Sequence, residues 1–145
     1  MREEKHLEAL KEVWQTLDEA LKESSLLPHQ RRLVTMLSLG LQHLIELYFH
    51  KLAIIKPGAQ IKHNWFKAEE KRVKLQLQSV VTKTVSKIPR IDEVLTFSKE
   101  LEKDRDELIY GGPVNNERLL KEKINTFLEL KKIIEQETGD LEWKH

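Results

Sequence analysis

Residues 28–54 read PHQRRLVTMLSLGLQHLIELYFHKLAI, and this stretch decides the fold. Leu33, Val34, Met36, Leu37, Leu41, Leu44, Ile45, Leu47, Tyr48 and Leu52 fall on most sides of an α-helix instead of forming one stripe. A helix that is apolar nearly all round belongs at the centre of a bundle, touched by several neighbours. Gln42, His43, Glu46, His50 and Lys51 interrupt the least polar part, residues 33–55, so it reads as a buried core helix and not as a membrane span. Pro28 suits the first turn, where a missing N–H costs nothing.

The flanking segments supply the neighbours. In residues 2–23, Leu7, Leu10, Val13, Trp14, Leu17, Ala20 and Leu21 recur at three and four residues, the pattern of an amphipathic helix that Ser24 and Ser25 end. Lys56-Pro57-Gly58 marks a turn. Residues 64–88 are ambiguous: Phe66, Val73, Leu77, Val80, Val81, Val85 and Ile88 fit a helical stripe, yet 73–78 alternate with period two. A lone strand would have no partner, so a helix is expected there. Ile91, Val94, Leu95, Leu101, Leu108 and Ile109 predict one helix over 91–110, stopped by Gly111-Gly112-Pro113. Asn115 or Asn116 is expected to cap a last helix that ends before Gly139. Short connections between long helices predict an all-α, up-and-down bundle of about five helices in a single domain, residues 1–145. Leu37, Leu41, Leu44, Tyr48, Leu95, Ile124 and Phe127 are expected in its core.

Composition narrows the class. With 39% hydrophobic and 34% charged residues among 145, the chain is too apolar for disorder and too polar for a membrane protein. The absence of Cys excludes a disulfide scaffold, thiol catalysis and thiolate metal sites. Met1-Arg2-Glu3-Glu4-Lys5 opens directly into a charged helical pattern, so a cytoplasmic protein without a secretory signal is expected. The net charge of +1 hides a basic middle: residues 50–90 carry ten Lys and Arg against two Glu, a balance of +8. Lys62, His63, Trp65, Lys67, Lys71 and Arg72 form its centre, pairing cations with rings that stack on bases, and are the expected nucleic-acid-binding residues.

Phosphate-binding glycine loops, GxSxG and HExxH are all missing. His43, Glu46 and His50 share a face of the central helix at i, i+3 and i+7. Without a second ligand-bearing helix they read as the polar edge of an apolar helix, and neither a metal nor another cofactor is expected. The stronger signal is Lys103-Asp104-Arg105-Asp106-Glu107-Leu108-Ile109-Tyr110-Gly111 ahead of an amphipathic helix. Over residues 100–135 this resembles the HEPN family, small all-α prokaryotic nucleases and nucleotide-binding modules. That family's hallmark is an Arg, then a polar residue, then a His little more than a helical turn later. Arg105 and Asp106 reproduce the frame, with Tyr110 in the place of the His.

The resemblance implies a HEPN-like fold, with Arg105, Asp106 and Tyr110 as catalytic residues in a cleft formed by a homodimer. It further implies RNA or nucleotide as ligand. The chain would then be the ribonuclease toxin of a toxin–antitoxin pair, partnered by a minimal nucleotidyltransferase. A guanidinium offers phosphate a planar fork of donors. A phenol is a poor proton acceptor at neutral pH, where imidazole titrates, so binding is favoured over turnover. Asp106 and Tyr110, four apart, are expected to hydrogen-bond. The alternative is a non-catalytic helical-bundle dimer acting as a protein-interaction module, with Arg105 paired to Glu102 or Asp106.

Overall fold

A computed structural model of the chain describes residues 2–115 and 117–141. The protein is an all-α helical bundle. Its helices are α1 (Glu3–Leu21), α2 (Gln30–Lys51), α3 (Glu70–Gln78), α4 (Ile91–Glu102), α5 (Arg105–Tyr110) and α6 (Arg118–Thr138). Short 3₁₀ turns at Leu27–His29, His63–Lys67 and Val85–Lys87 join them. No helix among the described residues is long and apolar enough to cross a membrane.

The all-round apolarity of α2 has the expected consequence: α1, α4, α5, α6 and the 63–67 turn all pack on it. Leu37, Leu41, Leu44, Tyr48, Leu95, Ile124 and Phe127 are all buried. Gly40 marks a close contact between helices. A Cβ there would stand 2.7 Å from Phe127 of α6 and 3.1 Å from Val13 of α1, so the absence of a side chain lets three helices meet. Tyr48 is buried with its hydroxyl donating to the Pro89 carbonyl at 2.5 Å, which ties α2 to the start of α4. Burial, and the negative charge of Glu137 behind it, push this phenol up to about 12.

Three expectations about elements need correction. The single helix over 64–88 is a 3₁₀ turn, the short α3 and an extended segment. Residues 73–78 are helical, but Val81 pairs antiparallel with Ile55. Thr82 N–H donates to the Ile54 carbonyl and Lys56 N–H to that of Val80, at 2.7 and 2.9 Å. The β-branched run Val80-Val81-Thr82 finds its partner in Ile54-Ile55, a pairing too short for the alternation to reveal.

The helix expected over 91–110 breaks at Lys103 and Asp104, which are extended and left-handed respectively. Asp is among the few residues that tolerate that conformation, and Lys123 from α6 supports the break. Its buried ammonium donates to the Glu100 carbonyl and, at 2.7 Å, to that of Lys103, filling acceptors that the end of α4 leaves open. Finally, α6 starts at Arg118 with Glu117 preceding it, not at an Asn cap; Asn116 lies outside the described residues.

The turn after α5 is held from α2. Arg31 Nε donates to the Ile109 carbonyl at 2.8 Å, and Gln30 Nε2 to that of Leu108 at 2.9 Å. Val114 N–H returns a bond to Gln30 Oε1 at 3.0 Å. Gly111 is needed because a Cβ would lie 2.5 Å from the Glu107 carbonyl oxygen.

Candidate nucleic-acid interface

The 63–67 turn is pinned by its interior side. Phe66 is buried, and the backbone N–H of His63 donates to Gln42 Oε1 at 2.9 Å. The His63 imidazole meets Glu102 of α4, Nδ1 to Oε1, at 2.6 Å. Glu102 is only 2% exposed, and its Oε2 has no partner among the described residues. His63 is therefore a ring oriented by a buried carboxylate, not a free stacking platform. Nothing in the sequence ties it to a Glu 39 residues away.

With that side anchored, the turn presents its cations outward. Lys62, Asn64, Trp65, Lys67, Arg72 and Gln76 line an open groove of about 440 Å³, completed by Ala68. No carboxylate lines it. Four of the six expected nucleic-acid-binding residues thus converge, because α3 folds back on the turn. Lys71 is exposed on α3 outside this lining, and His63 faces Glu102.

A second groove, of about 580 Å³, adjoins the first through Lys67 and includes Arg105 and Asp106. Its charges are mixed, with Lys99 and Lys103 beside Glu100, Asp104 and Glu107. Asp106 holds a cation on each oxygen: Lys67 Nζ at 2.7 Å on Oδ2 and Arg105 Nη1 at 3.1 Å on Oδ1. Lys67, then Arg105, hold its carboxyl below the usual carboxylate range. Arg105 also donates from Nε to Ser38 Oγ at 2.7 Å and is 15% exposed in its side chain. Much of its fork is spent on the protein. Ser38, at a small-residue position of α2, gave no sequence signal of this role.

Tyr110 stands apart. It is 78% exposed and does not line the groove that holds Arg105, and its hydroxyl has no hydrogen bond among the described residues. The expected Asp106–Tyr110 bond is absent: Asp106 accepts from Lys67 and Arg105, and the Tyr110 side chain is turned to solvent.

The polar residues of α2 also differ from a solvated edge. Glu46 is 7% exposed, and its Oε1 accepts the Ile61 N–H at 2.6 Å. His6 of α1, 1% exposed, faces both Glu46 and His43. Burial, then the charges of His43 and His50, bring the His6 imidazole down to about 4. Burial lowers His43 and raises Glu46. His6, His43 and Glu46 are the residues with metal-ligating atoms close together among those described.

A scan against protein-family models, a search of curated proteins and a search of solved structures find no match to this chain.

Proposed function

We propose that this protein binds single-stranded RNA in the groove of Lys62, Lys67 and Arg72, with Trp65 as the stacking surface. The observation that carries the reading is a groove combining Lys62, Arg72, one indole and two side-chain amides without a lining carboxylate, with Lys67 at its edge paired to Asp106 of the adjoining groove. Cations track a phosphate backbone, an indole stacks on any base, and amides reach exposed base edges. The +8 balance of residues 50–90 supplies the long-range attraction. The resemblance of residues 100–135 to HEPN proteins favours the same ligand class. The committed Arg105 and the outward Tyr110 favour binding without turnover.

The exposure of Tyr110 beside the exposed Gly111-Gly112-Pro113 supports a second element of the reading. An outward aromatic at the end of α5, beside a turn held from α2, suits a symmetric contact, and the reading therefore includes a homodimer through residues 105–113.

Fluorescence anisotropy with a labelled single-stranded RNA of about ten nucleotides tests the binding. Phosphate contacts from Lys62 and Arg72 predict a log–log salt slope of about −1.4, rising toward about −2 where the RNA displaces Asp106 from Lys67. Arg72→Ala should weaken binding and reduce that slope by about 0.7. Asp106→Asn should release Lys67 and tighten binding a few-fold. Equal affinity for duplex DNA, or binding unchanged in Lys62→Glu with Arg72→Glu, overturns the proposal.

A further inference from the structure

We propose that His6, His43 and Glu46 bind a divalent transition-metal ion of the zinc class between α1 and α2, a site independent of the basic groove. His43 and Glu46 lie at i and i+3 on α2 and so share a face. The packing of α1 on α2 sets His6 against that face. His6 Nδ1 is 3.0 Å from His43 Nδ1 and 3.5 Å from Glu46 Oε2. One ligating atom from each residue lies within 4.8 Å of the other two. Metal–ligand bonds of about 2.0–2.1 Å place tetrahedral corners roughly 3.3–3.4 Å apart. The 3.0 and 3.5 Å separations bracket that edge, and the third pair of ligating atoms lies within 4.8 Å, so an ion closes the site by drawing His43 and Glu46 toward each other.

Chemistry and support agree with the spacing. Two imidazoles and one carboxylate select zinc-class ions, whereas magnesium and calcium demand oxygen ligands. The Ile61 N–H holds Oε1 of Glu46 and leaves Oε2 toward His6, the outer hydrogen bond that ligating carboxylates carry. Among the described residues no Lys or Arg pairs with Glu46; the nearby Lys51 is bound to Glu3 at 3.0 Å. Two facing imidazole nitrogens share one proton at best, while a cation satisfies both lone pairs and the carboxylate together. His50, with its ring centroid 5.0 Å from that of His6, flanks the three without belonging to them.

Calorimetric titration of the EDTA-treated, dialysed full chain with zinc, and separately with magnesium, tests the proposal. One zinc per chain is expected, with a Tm raised by several degrees in excess zinc and no response to magnesium. Cobalt should give the intense visible bands of a tetrahedral complex. His43→Gln, at the most accessible of the three positions, should keep its circular dichroism and lose at least about 100-fold in zinc affinity, since outer-shell losses alone reach that size. His6→Asn should behave alike. A weak octahedral cobalt spectrum, zinc held no tighter than magnesium, or unchanged affinity in a folded His43→Gln overturns the site. The first two results need only the unaltered protein, so they decide even where a variant fails to fold.

Discussion

At the scale of single residues, burial changes what a side chain does more than its type does. Arg105, Asp106 and Tyr110 form one constellation in the sequence because they sit close along the chain. The structure ties Arg105 to Ser38 and Asp106 to Lys67, partners 67 and 39 residues away, and turns Tyr110 outward. Tyr48 shows the same lesson with a measurable consequence. Its folded pKa of about 12 lies above the ordinary phenol value of 10, so the folded state favours the neutral form. The contribution of that phenol is complete below about pH 10. It declines as pH rises from there through about 12, by roughly 2–3 kcal/mol in all. Tyr48→Phe should cost about 1–2 kcal/mol at pH 7, having left the Pro89 carbonyl without its donor. The gap between wild type and variant, measured by urea unfolding at pH 8 and again near pH 11, should narrow. A gap that stays constant would show that the phenol is not held neutral by the fold.

At the scale of elements, periodicity located the helices and tertiary partners set their ends. α1, α2 and α6 follow their apolar repeats closely, because each buries a face long enough to outweigh local preferences. The break between α4 and α5 was invisible, since 91–110 keeps a helical pattern across it. A lysine on α6 and a left-handed Asp104 create it together. Gly40 makes a sharper test of packing against propensity. In an isolated helix Gly→Ala stabilises by about 1 kcal/mol. Here the added methyl meets the Phe127 ring and Val13, and overpacking of that kind costs roughly 1–3 kcal/mol. Gly40→Ala should therefore lower the thermal midpoint, and pairing it with Phe127→Leu should restore part of the loss. A raised midpoint in the single variant would mean that the three-helix contact is looser than described.

At the scale of the whole molecule, assembly is the property with the clearest outcome. Sedimentation velocity at micromolar concentration should give a dimer, and Tyr110→Asp should shift it to monomer without loss of helicity. A monomer for the unaltered chain would remove residues 105–113 as a homodimer surface. Apolar periodicity alone makes the chain all-α and puts 28–54 at its centre. Hydrophobic burial imposes a period that survives without knowledge of any neighbour. The sequence also makes the middle third basic, because charge is additive along a chain. Which of those cations share a groove depends on the fold-back of α3 on the 63–67 turn. Likewise, His43 and Glu46 read as a polar edge until α1 brought His6 against them. A helix shows its own faces in its sequence, but a site between helices depends on distances that the order of residues does not contain.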